Sequence, residues 1–237
     1  MRPIGFSTGA LARGDFRKGL SLLQSRSIEV VELSALRMEE LEPLLTALPG
    51  LNLSGFKFVS IHAPSSFGRE LENRVVELLD SAPARRFPVV VHPDVIFTPS
   101  IWRRFGTRLL IENMDKRKPI GRTLSELRAL FDLLPEAKFC FDIGHARQVD
   151  PTMTEAALLV RNFRHLLAEV HLSEVNTASR HDPISRNATL AFQKIAGFIP
   201  CDTPIVLETL IDAGQSDIDV EIERGRQSLP IEDHLAA

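Results

Sequence analysis

FCFDIGHA, residues 139–146, sets an apolar run fit for a buried strand directly against Asp142 and His145, two metal-binding side chains three residues apart. Burying either without a partner is costly. The stretch therefore predicts both a strand that ends at Asp142 and a charged partner waiting at its end.

Working outward, the same arrangement recurs. Short β-branched or aromatic runs lie at PIGFS (3–7), IEVVEL (28–33), KFVSIH (57–62), PVVVH (88–92), RLLIEN (108–113), KFCFD (138–142), AEVHL (168–172) and PIVLE (204–208). Most are apolar on successive residues, the pattern of parallel strands covered on both faces. Stretches of helical period separate them, at 36–48, 67–82, 122–134 and 151–169. Leu124, Leu127, Leu130, Phe131 and Leu134 share one stripe, and Thr123 or Ser125 before Glu126 is a helix start signal. Only TPSIWRRFG separates the fourth and fifth runs, so a short or irregular helix is expected there. Eight strand-then-helix units predict a (β/α)8 barrel, one domain spanning 1–237. No GxGxxG or GxxxxGK stretch supports a nucleotide-binding sheet instead.

Composition sets the outer limits. The chain has 237 residues, 44% of them hydrophobic, enough for one large core. No apolar run reaches membrane-spanning length, and the N-terminus is too polar for a signal peptide, so a cytoplasmic protein is expected. The two cysteines, Cys140 and Cys201, form no metal knuckle or redox pair. A net charge of −3 argues against a broadly basic nucleic-acid binder. A local exception runs through Arg103, Arg104, Arg108, Lys116, Arg117, Lys118, Arg122 and Arg128, either a solvated face or a phosphate-attracting loop.

Ionisable residues gather at the strand ends: Glu32, His62, His92, Glu112 with Asn113, Asp142 with His145, His171 and Glu208. In a barrel all these ends open onto one mouth. Singly, each has a structural explanation, a hydrogen-bonded core histidine or a carboxylate at a helix start. Together they predict a divalent cation site, because carboxylates and imidazoles converging in one place need a common partner. His165 and His234 lack that placement and are expected to serve no chemistry.

This pattern resembles the xylose isomerase-like TIM barrels, which include sugar isomerases, epimerases and endonuclease IV. The resemblance implies that one divalent metal (Mn, Zn, Mg or Co) is held by Glu112 in LLIENMD, Asp142 in FCFDIGHA, His171 in EVHLSE and Glu208 in PIVLETL. It also implies that Glu112 and Glu208 exchange a proton with a carbohydrate substrate, a ketose or ketose phosphate. Lys116, Arg180, Glu32 and Asn113 are the substrate-binding candidates. The alternative it implies is an endonuclease IV-like phosphoesterase with up to three Zn, drawing also on His62 in SIHAP, His92 in VVVHPD, His145 and His181 in SRHDP. Where endonuclease IV has an aspartate this chain has Ser179, with Asp182 as a nearby substitute. Where the epimerases have an arginine it has Thr177, with Arg180 near. A barrel that binds metal or sugar without turnover is the third reading. The isomerase stands first at this stage, with nucleic acid unexpected as a partner because tyrosine is absent, Trp102 is the single tryptophan and the loops are short.

Overall fold

The computed structural model describes residues 1–24, 26, 28–211 and 215–231. Eight parallel strands close into a barrel: β1 (Ile4–Ser7), β2 (Val30–Ser34), β3 (Phe58–His62), β4 (Val89–Val91), β5 (Leu109–Glu112), β6 (Lys138–Asp142), β7 (Leu167–Leu172) and β10 (Ile205–Leu207). β10 returns to pair with β1, Ile4 opposite Ile205. All eight expected runs are strands, within two residues at each end. β8 (Glu174–Val175) and β9 (His181–Asp182), a small antiparallel hairpin after β7, were not expected from the sequence.

Alternation along each strand explains both core and site. Val89, Val91, Leu109, Ile111, Phe139 and Phe141 join the core between barrel and helices, while Val90, Leu110 and Cys140 pack inside the barrel. Two residues further along, the same inward positions are His92, Glu112 and Asp142. The barrel mouth is thus ionisable, and the layer beneath it mixes apolar Val90, Leu110 and Cys140 with buried Glu32, Ser60 and Glu169.

Between the strands the helices depart from expectation in detail. Met38–Ala47 and Leu124–Leu133 match two expected helices, and Thr123 caps the second by accepting from Glu126 N. The stretch 67–82 begins as a 3-10 turn and becomes helical only over Glu72–Leu79. The Glu72 carboxylate there turns inward to accept from Thr98 N and Trp102 Nε1 at 2.8 and 2.9 Å. The stretch 151–169 is helical only over Thr154–Asn162. Phe163 then buries its ring between Phe131 and Phe139, and the chain turns into β7. His165 consequently sits exposed in a turn instead of inside a helix. His234 lies outside the described residues. The fourth unit is short as expected, Pro99–Trp102 followed by a 3-10 segment.

Among the described residues no helix is long and apolar enough to cross a membrane.

Candidate metal centre

The spacing in FCFDIGHA is that of a helix cap. Asp142 is the N-cap of the helix Ile143–Val149, and its Oδ1 accepts from His145 N at 2.6 Å. One carboxylate oxygen is used locally and the other, Oδ2, is buried with no hydrogen-bond partner. Gly144 lets this helix approach β7, since a Cβ there would meet Ser173 O at 2.5 Å. The close approach brings Asp142 and His145 beside His171 and His181.

Glu112 lies at the centre, 1% exposed. Its Oε2 faces Nε2 of His62 at 3.3 Å and Nε2 of His92 at 3.2 Å. Its Oε1 faces Nδ1 of His145 at 3.3 Å and Nδ1 of His171 at 3.5 Å. His62 donates from Nδ1 to the Ala63 carbonyl at 2.7 Å, which leaves Nε2 as the nitrogen that meets Glu112. His145 likewise donates from Nδ1 to Asn113 O at 3.0 Å. Glu208 reaches His171 Nδ1 through Oε1 and His181 Nδ1 through Oε2, both at 3.5 Å.

These side chains compose three groups whose ligand atoms lie within 4.8 Å of one another: His62, His92 and Glu112; Glu112, Asp142, His171 and Glu208; Asp142, His145 and His181. Carboxylate and imidazole together suit zinc and manganese. Asp142 Oδ2, His92 Nδ1 and both ring nitrogens of His171 are buried without hydrogen-bond partners. Orphaned donors of this type, aimed at one another, fit divalent cations.

The electrostatics agree. Burial opposes ionisation of Glu112, yet the His171 and His92 imidazoles hold its carboxyl well below the usual carboxylate range. Glu208, opposed by burial in the same way, is held down by His171. Burial pushes Asp142 up to about 8. Against burial, Glu32 and Glu112 raise His62 to about 9, and Asp142 and Glu112 raise His145 to about 10. His92 and His181 are lowered by burial. Protons and cations compete for these same atoms.

The other sequence candidates fall elsewhere. Glu32 is wholly buried below the mouth, its Oε2 3.2 Å from His171 Nε2. Asn113, also buried, is engaged with the Asp142 main chain. Lys116 and Arg180 are exposed and do not line the cavity over the centre. Asp182 accepts from Asn176 at 2.7 Å within the hairpin and joins none of the three groups. Ser179, in left-handed backbone at φ 54°, accepts from Gln148. Of the basic stretch, Arg108 binds carbonyls of Ala84 and Phe87, and Arg122 pairs with Glu126. Only Arg117 and Lys118 of that stretch line the cavity, which measures about 240 Å³. Glu169 escaped the sequence reading, although its position two residues before His171 puts it on the same face of β7.

Residues 98–228 match the xylose isomerase-like TIM barrel family. The chain belongs to that family. This family member also superposes on the crystal structure of endonuclease IV from Thermus thermophilus, with TM-score 0.57 and 19% identity over 96% of this chain and 98% of that one. At that identity the likeness establishes the fold alone. A 4-hydroxy-2-oxoglutarate aldolase/2-deydro-3-deoxyphosphogluconate aldolase from TTHB1 aligns at TM-score 0.47 and 11% identity over 96% and 92% of the two chains, too loosely to establish more. No curated protein matches the chain in sequence.

Proposed function

We propose that this barrel is a divalent-cation-dependent hydrolase of phosphoesters, working with two or three cations at the strand ends. The observation that carries this is the division of the Glu112 carboxylate. Oε2 faces His62 and His92, whereas Oε1 faces His145 and His171. A carboxylate shared in this way would hold a cation on each side. The one-cation isomerase would need Glu112 as an acid/base group free to move a proton. Glu112 lines the cavity but is 1% exposed and ringed by the imidazoles of His62, His92, His145 and His171, a setting that suits a ligand.

His62, His92 and Glu112 would hold one cation, and Glu112, Asp142, His171 and Glu208 a second. Asp142, His145 and His181 offer a third position that is poorer by the aspartate replaced with Ser179. Divalent cations there would supply charge neutralisation at an attacking water and at a departing oxygen. At the rim, Lys118 donates to Asp94 at 2.8 Å and to Ser65 O at 3.1 Å, which aims its ammonium group along the cavity wall. With Arg117, which pairs with Asp115 at 3.3 Å, it would offer a phosphate group charge-assisted hydrogen bonds in exchange for those aspartates.

Net charge alone does not exclude a nucleic-acid substrate, because the same fold serves an endonuclease. The isomerase remains the second reading on one observation. Glu208 lines the cavity with 13% of its side chain exposed, a placement suited to a proton-transfer group.

The test is to load the protein with zinc or manganese and offer bis(p-nitrophenyl) phosphate, an abasic-site DNA duplex and a panel of ketoses in heavy water. Chelator-sensitive phosphoester cleavage is expected. Deuterium gain beside a ketose carbonyl with no cleavage would transfer the protein to the isomerases.

A further inference from the structure

Below the ligand cluster, a second set of buried polar groups surrounds the far side of His171. Its Nδ1 looks up to Glu112 and Glu208, and its Nε2 looks down to two more carboxylates. Glu32 Oε2 lies 3.2 Å from Nε2 and Glu169 Oε1 lies 3.5 Å away, distances of an ion pair though not of hydrogen-bond angle. Glu32, Glu169 and His171 are all 0% exposed. Ser34 donates to Glu32 at 3.1 Å and Ser60 donates to Glu169 at 2.9 Å, while Oε2 of each glutamate has no hydrogen-bond partner.

Strand register places them there. Glu32 is opposite Ser7 on β1 and Ser60 on β3, one inward layer beneath Ser34 and His62. On β7, Glu169 stands two residues before His171, also one layer down.

Packing does not account for these carboxylates. Taking one out of water costs several kcal/mol unless it is paired, and a hydroxyl could accept an imidazole N–H more cheaply. A histidine that binds a cation through one nitrogen characteristically donates its other N–H to a carboxylate, which fixes the tautomer and the ring orientation.

We propose that Glu32, assisted by Glu169, is a positioning residue that keeps the His171 proton on Nε2 and so presents Nδ1 to a divalent cation of the upper cluster. The inference rests on His171 being a cation ligand, as the proposed function has it. Glu32→Gln can donate as well as accept, so the amide would no longer hold the proton on Nε2, with almost no change of shape.

The experiment is a zinc titration of the whole chain against a chromophoric chelator, for wild type, Glu32→Gln and Glu32→Asp, with ¹⁵N-histidine spectra of each zinc-loaded protein. Glu32→Gln should bind zinc about 10–100-fold more weakly at unchanged stoichiometry. Glu32→Asp should recover part of that loss. The spectra should show the His171 proton on Nε2 in wild type and displaced in Glu32→Gln. Thermal stability of the metal-free variant should hold or rise, since a buried charge has gone. Three results would overturn the inference: equal zinc affinity in wild type and Glu32→Gln, a wild-type proton on Nδ1, or loss of one zinc equivalent with the rest bound as before, which would make Glu32 and Glu169 direct ligands. Should Glu32→Gln not fold, Glu169→Gln and Glu32→Asp carry the same comparison. Wild-type protein that takes up no zinc would remove the proposed function itself, whereas equal affinities remove only the role of Glu32.

Discussion

Asn113 and Asp142 exchange a pair of hydrogen bonds across neighbouring strands. Asn113 Nδ2 donates to Asp142 O at 2.8 Å, and Asp142 N donates to Asn113 Oδ1 at 2.9 Å. The clamp joins the ends of β5 and β6 where Glu112 and Asp142 must meet. A residue that reads in the sequence as a substrate contact is a fastener between two ligand-bearing strands.

Asn113→Ala would leave the buried Asp142 N–H unpaired, at a cost of about 1–3 kcal/mol, and would remove one donor from the Asp142 carbonyl. Urea denaturation should show that loss, and zinc affinity should fall with it. Unchanged stability would mean that water or a neighbouring group replaces the amide.

His62 and His92 separate the two enzymatic readings, because a one-cation isomerase does not need them as ligands. The double replacement by alanine should remove one cation equivalent per chain, measured by elemental analysis, and abolish phosphoester cleavage. Full stoichiometry in that variant would restore the isomerase to first place.

Acidity should act oppositely on the free and loaded forms. His62 and His145 are raised from 6.5 to about 9 and about 10, and Asp142 is raised from 3.8 to about 8, so the folded free protein binds more protons than the unfolded chain. The histidine contribution is complete below pH 6.5 and disappears as pH rises through about 9 to about 10; that of Asp142 is lost by about 8. Thermal denaturation of chelated protein should therefore show stability declining above neutrality. Zinc affinity should rise over the same interval, because the cation displaces those protons. A free protein whose stability climbs between pH 7 and pH 9 would contradict the assignment.

Lys118→Ala should raise KM for a phosphoester about 10–100-fold, the worth of one charge-assisted hydrogen bond, with a smaller effect on kcat. Lys118→Arg should retain much of the affinity. An unchanged KM would place the phosphate elsewhere on the rim.

Much of this was legible in the sequence because strand signals are local. A run such as PVVVH is β-branched and apolar on consecutive residues whatever surrounds it, and β4 carries Val89, Val90 and Val91 all buried. The rule that barrel strands end at one mouth then gathers Glu112, Asp142, His171 and Glu208 without any coordinates. Helix limits were less legible, since Phe163 leaves the helical path for tertiary reasons, to pack against Phe131 and Phe139.

By itself the sequence determined the eight-strand order and the set of side chains at the strand ends, since both follow from residue type and spacing along the chain. Depth inside the barrel was decided only by the tertiary structure. Glu32 and His62 both read as strand-end residues, yet the stagger between β2 and β3 sets Glu32 level with Ser60, one layer below His62. Which oxygen of Glu112 meets which histidine, and which nitrogen of His171 faces upward, depend on register between strands and on ring rotations set by neighbours distant in sequence. Those contacts decide whether a carboxylate is placed to meet a cation, to move a proton or to hold a histidine, and no local pattern encodes them.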